Sequence, residues 1–98
     1  MNIHFALQGI NFEWDPKKAS ANQKKHGVSF NLACEVFFDP LLLAVDDEVT
    51  DDELREHVIG MTAKWQVLYV IYVLRGESIR IVSARKAQSH ERRTYEHQ

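Results

Sequence analysis

The 98-residue sequence predicts a single α+β domain, residues 1–98, with a small antiparallel β-sheet, two N-terminal helices packed on it and a C-terminal helix. Three observations support this class. An apolar run over 67–74 is followed by a Gly-containing turn and a second strand-like segment, a pattern that is typical of a buried hairpin. Two helix-start signals precede this hairpin, and a polar stretch of helical composition, 87–97, follows it.

The N-terminal residues predict a short β-hairpin. Residues 3–7 and 11–14 read as strands, and the intervening Gln8–Gly9 pair is suited to a turn. The chain lacks a signal-peptide pattern, and no apolar run is long enough to cross a membrane, so we expect a cytoplasmic protein. Its single cysteine, Cys34, excludes an internal disulfide framework. Cys34 falls on an apolar helix face, which predicts a buried, inert thiol.

Two helices are predicted next. Asp15 and Pro16 form a helix start, because an N-cap acceptor precedes a residue suited to the first helical position. Gly27 is a good residue for the end of that helix. Ser29 caps a second helix, whose apolar residues recur at helical spacing until Pro40 stops it. The second helix is therefore expected to pack on the core.

An acidic segment follows the second helix. Residues 39–56 carry eight acidic residues and one basic residue, a net charge of −7. Residues 41–45 predict a short strand and 46–56 a solvated loop, since the carboxylates are irregularly spaced and a calcium-loop glycine is absent. A further strand is expected over 55–62. No metal site is predicted here.

The central hairpin carries fixed positive charge. Its first strand, 66–74, is apolar at both parities, so we expect it to be covered on both faces. In the returning strand, Ile79–Ala84, simple alternation puts Arg80 on the same face as Val82 and Ala84. The fold does not require the cations on or beside this hairpin, which are Arg75, Arg80, Arg85 and Lys86. They indicate a phosphate-binding surface, whereas cations that were scattered or each neutralised by a carboxylate would indicate a docking role.

The distribution of charge leaves room for an RNA-binding surface. The net charge is −2, yet residues 64–98 carry seven bases and three acids, a local charge of +4. Ordinary solvated charge is the alternative explanation. A Gly-rich phosphate loop, a Ser nucleophile elbow and metal-ligand spacing of the histidines are all absent. The remaining Lys, Arg and His residues suit metal-independent RNA cleavage, in which a base deprotonates the 2′-hydroxyl and an acid protonates the leaving oxygen.

Four segments carry a family resemblance. They are FEWDPKKASANQKKHGVSF (12–30), VFFDP (36–40), DDELREHVIG (51–60) and RGESIRIVSARKAQSHERRTYE (75–96). In this order and at this spacing they resemble the BrnT family of toxins from type II toxin–antitoxin modules. The resemblance covers about residues 12–96 and leaves 1–11 as an N-terminal extension that adds an edge strand. It implies a fold similar to that of the RelE-type ribonuclease toxins.

The resemblance also implies a function and a set of site residues. It implies metal-independent RNA cleavage without a cofactor, which blocks translation. It also implies neutralisation by a BrnA-like ribbon-helix-helix antitoxin. The toxin–antitoxin complex, which contains a toxin dimer, is then expected to bind operator DNA through the antitoxin. The implied catalytic residues are Arg80, Arg75, His26, Lys25 and Glu53. The implied RNA-binding residues are Lys64, Arg55, Arg85 and Lys86. We expect Arg80 to be the main phosphate clamp, with Arg75 and Lys64 flanking the scissile phosphate. The acid and the base stay open among His26, Lys25 and Glu53.

Two other functions are open at this point. A catalytically degenerate toxin would only dock an antitoxin or co-repress transcription, which the net negative charge and the polar C-terminal stretch favour. A purely structural domain would have no antitoxin gene beside its own. Because Tyr95 is the only large apolar residue of 87–97, we expect this last helix to be weakly held and to contact the antitoxin or shift when it binds.

Overall fold

A computed structural model describes all residues, Met1 to Gln98. The elements in chain order are β1 (Ile3–Leu7), β2 (Ile10–Trp14), α1 (Pro16–His26), α2 (Phe30–Ala33), a 3₁₀ turn (Cys34–Phe38), β3 (Leu43–Thr50), β4 (Glu53–Met61), β5 (Val67–Arg75), β6 (Ser78–Lys86) and α3 (Ser89–Glu96). The strands form one sheet in the order β1-β2-β6-β5-β4-β3. The α+β class is confirmed, but the sheet is mostly rather than wholly antiparallel, because β2 pairs with β6 in parallel. None of the helices combines the length and apolar character needed to cross a bilayer.

The acidic segment forms a β-hairpin, so the predicted solvated loop is wrong. β3 and β4 pair in antiparallel fashion from Leu43–Ile59 to Thr50–Glu53. Asp51 and Asp52 both have positive φ, 52° and 61°, as the two central residues of a tight hairpin turn require. Aspartate tolerates this left-handed region better than most residues. The strands project beyond the core, and most of their carboxylates therefore stay in water.

Helix α1 begins and ends at the predicted signals and covers an open strand edge. Asp15 accepts a hydrogen bond from a first-turn amide at 2.8 Å, and Gly27 ends the helix with φ of 70°. β2 pairs with only the first part of β6. Beyond that point the buried side chain of Asn22 donates to the carbonyl oxygens of Val28 and Ala84 and accepts from the Ala84 amide, at 2.8–3.1 Å. Asn22 thereby supplies the hydrogen bonds that a neighbouring strand would make.

The second predicted helix is shorter than its apolar spacing suggests. Ser29 caps it by accepting from the Leu32 amide at 3.1 Å, but only four residues are α-helical and the chain then tightens into the 3₁₀ turn. Its apolar side chains still face the sheet, as expected. The turn approaches β4 closely, since a Cβ placed on Gly60 would lie 2.8 Å from the Cβ of Val36. The number and extent of the N-terminal helices therefore differ from the prediction.

The sheet separates two apolar clusters. On one face, which we call the core face, the main core joins α2 and the 3₁₀ turn to the strands through Phe12, Trp14, Phe30, Val36, Val58, Leu68, Val70, Ile81 and Ala84. On the other, the α3 face, a smaller cluster lies under the last helix and contains Ile59, Val67, Ala87 and Tyr95. β5 contributes to both clusters. Its two apolar parities therefore correspond to two covered faces, as predicted.

A β-bulge changes the predicted facing of β6. The β5–β6 register shifts next to Ile71, which leaves Val82 as the extra residue. Ile81 and Ala84 consequently both lie in the main core, although they are three residues apart. Arg80 lies on the α3 face. The expectation that Arg80 and Ala84 share a face is therefore wrong, because the bulge interrupts the alternation on which it was based.

Helix α3 is anchored to the sheet, contrary to the expectation of a weakly held helix. Tyr95 is only 5% exposed, and its hydroxyl donates to Asp39. Arg85 donates two hydrogen bonds to Glu91, of 2.7 and 2.8 Å. The Glu91 carboxylate also accepts from the Gln88 amide and closes a capping box. One aromatic residue and one forked ion pair compensate for the absence of a broad apolar stripe.

Candidate functional site

Helix α3 covers one end of the α3 face and leaves a polar row open at the other. The row crosses the sheet through neighbouring positions, which are Glu13 on β2, Arg80 on β6, Val73 on β5, Arg55 on β4 and Glu48 on β3. Side chains at paired positions of adjacent strands point to the same face. The row therefore brings two arginines and two glutamates from distant parts of the chain onto one surface, which we call the open polar face.

Three of the four hairpin cations are each paired with a carboxylate. The pairs are Arg75–Glu53 at 2.8 Å, Arg80–Glu13 at 2.9 Å and Arg85–Glu91 at 2.7 Å. The cations therefore do not form the unpaired phosphate-binding surface that the hairpin sequence predicts. This neutralised arrangement is the one expected for a docking role, and it leaves phosphate binding to cations that have no carboxylate partner.

Arg80 lies at the junction where β2 joins β6 in parallel. Its side chain and that of Glu13 are only 15% and 9% exposed, so the ion pair is largely buried. The two residues are register neighbours, and Asn2 donates a longer bond of 3.4 Å to the same carboxylate. A buried pair of this kind is strongly destabilising when one partner is removed. Arg80 thus has a structural role at the junction.

Arg55 is the half-buried arginine that makes no ion pair. Its Nε atom is buried and has no hydrogen-bond partner. The other unpaired arginines, Arg92 and Arg93, are exposed on α3. An unsatisfied buried donor costs free energy, and a guanidinium group matches the geometry of phosphate oxygens. Arg55 is therefore the arginine with donor capacity to spare on the open polar face.

His57 follows Arg55 on the same face of β4 and links two further side chains. Its Nδ1 atom lies 2.7 Å from the Tyr69 hydroxyl, and its Nε2 atom lies 3.2 Å from Glu48 Oε1. Because a carboxylate only accepts, we assign the proton to Nε2, and Nδ1 of the neutral ring then accepts from the tyrosine hydroxyl. Burial and the nearby charge of Asp46 raise the pKa of Tyr69, which keeps its proton at neutral pH.

Arg85 supports this arrangement from the other side of the tyrosine ring. Its guanidinium carbon lies 4.4 Å from the ring centroid of Tyr69, within the range of a cation–π contact. The hydrogen bonds to Glu91 come first among the causes that raise the pKa of Arg85, so its charge is permanent. The stacked guanidinium holds Tyr69 in place against α3.

The sequence does not reveal four residues of this face, which are Glu13, Glu48, His57 and Tyr69. Glu48 falls in the acidic segment that its composition predicts to be a loop, so the strand opposite it is not apparent. The sequence of β4 does contain a usable pattern: Glu53, Arg55 and His57 are spaced two residues apart, so their side chains lie on the same face of the strand. Glu13 gave no signal of its own, because its partner is 67 positions away.

Two predicted catalytic residues, Lys25 and His26, lie away from the open polar face. α1 begins close to Arg80: hydrogen bonding by the Lys17 amide first, and more weakly the charge of Arg80, lower the pKa of Asp15. The eleven residues of α1 then rise about 16 Å to its far end. Lys25 and His26 are at that end, so they do not meet Arg80 at one phosphate.

Other predicted residues are also separated. Lys64 precedes β5 and Arg75 ends it, and nine extended residues span about 30 Å, so the two cannot flank one scissile phosphate. Lys86 pairs with Leu68, whose side chain is in the main core, and thus points to the core face. Glu53 does lie beside Arg75, and the hydrogen bond from that arginine lowers its pKa.

The side chains provide neither a grouped set of metal ligands nor a reactive thiol. No three or more His, Cys, Asp and Glu side chains are grouped so that they could hold a metal ion. Cys34 is fully buried, as predicted, and burial raises the pKa of its thiol to about 12. A thiol in this environment stays protonated and is a poor nucleophile.

Comparison with known proteins identifies relatives. A family model described as "Ribonuclease toxin, BrnT, of type II toxin-antitoxin system" matches residues 14–91. The chain is also similar to the ribonuclease toxin BrnT of Brucella abortus, known from a 1.1 Å crystal structure, with 28% identity and a TM-score of 0.59. That alignment covers 78% of this chain and 94% of the Brucella chain. No curated protein sequence matches the chain significantly.

Proposed function

This chain belongs to the BrnT family, the ribonuclease toxins of type II toxin–antitoxin systems, and we propose that it cleaves RNA at the open polar face, around Arg55. One observation carries this choice of site. The unpaired Nε donor of Arg55 stands two residues from His57 on the same side of β4, a spacing of about 7 Å. A phosphate held by Arg55 would lie beside the Glu48–His57–Tyr69 chain of hydrogen bonds.

In the proposed reaction Arg55 donates to a nonbridging phosphate oxygen and neutralises the charge that develops there. The ribose 2′-oxygen attacks phosphorus and gives its proton to solvent water, and the Tyr69 hydroxyl gives its proton to the leaving 5′-oxygen as the bond from that oxygen to phosphorus breaks. The neutral ring of His57 then takes up a proton from solvent on Nδ1 and passes it to the Tyr69 phenolate across the 2.7 Å contact. Glu48 stabilises the imidazolium through Nε2. Because burial raises the pKa of Tyr69, its hydroxyl is protonated at neutral pH and has a proton to give.

The remaining family candidates take supporting roles in this proposal. Arg80 contributes to phosphate binding only if the substrate competes with Glu13, and Arg85 positions Tyr69 by stacking. Glu53 is a poor base, because the hydrogen bond from Arg75 lowers its pKa. We propose no direct phosphate contact for the other cations: Arg75 is paired with Glu53, and Lys25, His26, Lys64 and Lys86 lie away from Arg55.

Substitution of Arg55 tests the site directly. We expect Arg55→Gln to lower the rate of cleavage of a ribosome-free RNA by about 100-fold, the usual effect of removing one charge-stabilising donor. Arg92→Gln is the matched control, because Arg92 is exposed on α3. Cleavage at the parental rate by Arg55→Gln, at equal concentration and with unchanged thermal stability, would show that the site is elsewhere.

A second pair of variants tests the proton path. We expect Tyr69→Phe to lower the cleavage rate by about 100-fold or more, because the general acid is removed while the ring remains. Tyr72→Phe removes a hydroxyl from the core face of the same strand and should leave the rate unchanged. Adding a chelator in each assay tests metal independence: a chelator-sensitive parent would contradict the proposed metal-free mechanism.

We also propose the finer features that the family resemblance implies. In the cytoplasm the toxin blocks translation by cutting RNA, and a BrnA-like ribbon-helix-helix antitoxin neutralises it. The complex, with a toxin dimer in it, binds operator DNA through the antitoxin. Growth arrest on expression of the toxin alone, relieved by the neighbouring reading frame, is the expected result. An operator-binding assay and the measured mass of the complex test the remaining two features.

The second candidate function is a docking module without catalysis. The neutralisation of Arg75, Arg80 and Arg85 by carboxylates favours it. It predicts that RNA stays intact at high protein concentration while the antitoxin binds tightly. RNA cleavage that Arg55→Gln abolishes would eliminate this candidate.

A further inference from the structure

An uncovered apolar stripe crosses the core face beyond the reach of α2. Val49, Leu54 and Leu74 are 73%, 49% and 62% exposed. Val49 pairs with Leu54 across β3 and β4, Leu54 and Leu74 line one cleft between β4 and β5, and Leu74 pairs with half-buried Ile79 on β6. The four side chains thus form one continuous row, which we call the apolar stripe. Contiguous exposed apolar groups of this kind mark interaction sites.

Carboxylates border the apolar stripe on both sides. On the side nearer the core, Asp47 pairs with Glu56. Their charges, after burial, contribute to the raised pKa of the neighbouring Tyr72. On the outer side lie the Asp51–Asp52 turn and Glu77 of the β5–β6 turn. The nearest arginine, Arg75, is engaged by Glu53 on the opposite face of the sheet.

This charge pattern selects among partners. RNA is repelled by carboxylates on both borders of the stripe. A second copy of the chain docked through the same stripe would place like charges opposite one another. A basic protein segment with an apolar face can cover the exposed apolar side chains and also pair with the bordering carboxylates. From β3 to β5 the stripe measures about 10 Å, close to the rise of seven residues along an α-helix, about 10.5 Å.

We propose that the apolar stripe docks a basic amphipathic helix of the antitoxin, with apolar side chains at i, i+3 or i+4, and i+7 in contact with Val49, Leu54 and Leu74. The inference rests on the family function, because it takes the antitoxin as the partner. The stripe is on the core face, whereas Arg55 is on the α3 face. Docking and RNA cleavage therefore use separate surfaces and can be disrupted one at a time.

The test uses the full chain and the purified antitoxin encoded beside its gene. We expect Leu54→Ser with Leu74→Ser to weaken antitoxin binding by about 30-fold, the effect of losing one binding hot spot. RNA cleavage by this variant should equal that of the parent. Trp65→Ser is the matched control, since Trp65 is 81% exposed at the other end of the sheet. Antitoxin affinity within about twofold of the parent for the double variant would overturn the proposal.

A charge variant keeps the inference testable if the double variant folds poorly. Asp47→Lys with Glu56→Lys leaves the apolar stripe intact, and we expect it to weaken antitoxin binding and to flatten its dependence on salt. An unchanged affinity and salt dependence would again overturn the proposal. A parent that binds antitoxin through the stripe but leaves RNA intact would refute the proposed catalysis while supporting the docking surface.

Discussion

At the scale of single residues, the partner decides what each charged group does. Arg80 and Arg55 are two strands apart on the same face, but Arg80 is paired with buried Glu13 and Arg55 has no carboxylate. A guanidinium paired with a carboxylate has part of its charge and donor capacity already engaged, so it offers less to a phosphate. Position on the sheet alone, therefore, does not identify the phosphate-binding residue.

The Arg80–Glu13 pair yields a stability prediction. Arg80→Met should lower the free energy of unfolding by about 3 kcal/mol, because it leaves the Glu13 carboxylate buried without a cation. Combining it with Glu13→Leu should recover most of this loss, since a buried ion pair can be replaced by apolar groups at little net cost. Urea unfolding measures both values. A single variant as stable as the parent would show that the pair is not buried in solution.

At the scale of elements, α3 is attached by few but specific contacts. The Arg85 fork holds Glu91, and the Tyr95 hydroxyl holds Asp39. The hydrogen bonds from Arg85 are the main cause of the lowered pKa of Glu91. Burial of Asp39 opposes its ionisation, but hydrogen bonds from Tyr95 and two backbone amides outweigh burial and lower its pKa as well. Both contacts therefore need ionised carboxylates.

The attachment of α3 should accordingly weaken in acid. A carboxyl group whose pKa is lowered in the folded state stabilises it above the ordinary values of 4.5 for Glu91 and 3.8 for Asp39. That stabilisation begins to decrease when the pH falls below the ordinary pKa values. It is lost once the pH has fallen through the lowered pKa of the folded state. We expect the α3 amides to lose protection from hydrogen exchange there before the amides of β5 do. Glu91→Gln, which removes one of the two carboxylates, should show faster α3 exchange already at pH 7. Equal protection of α3 at pH 7 and pH 3.5 would contradict this account.

At the scale of the whole molecule, the two faces and two ends of the sheet divide the charge. The apolar stripe and its bordering carboxylates occupy one end of the core face, while the open polar face lies on the opposite side. Since three arginines are internally paired, few free cations remain there for the proposed RNA substrate. The molecule as a whole is not a basic RNA-binding surface.

RNA binding should therefore depend only weakly on salt. With about two phosphates neutralised on a single strand, the slope of log affinity against log salt is expected near −1.4. The Arg55→Gln variant should lose about 0.7 of that slope. A titration of a non-cleavable RNA at several salt concentrations measures it. A slope steeper than about −4 would indicate six or more phosphate contacts and contradict the paired arrangement.

Local sequence determined the elements whose stabilising interactions are themselves local. Asp15, Pro16 and Gly27 bound α1 through contacts within one helical turn, and the apolar parities of β5 follow from its own residues. The four motif segments sufficed for the family. The burial of Cys34 follows from apolar neighbours that recur at helical spacing.

Tertiary structure alone decided which charges remain free. Glu13 and Arg80 are 67 residues apart and meet only because β2 inserts beside β6 in parallel. The bulge at Val82 and the pairing of β3 with β4 likewise depend on sheet order. Sheet order results from burying apolar surface across the whole chain, so no short window of sequence contains it. That long-range packing leaves Arg55 without a carboxylate and places it beside His57.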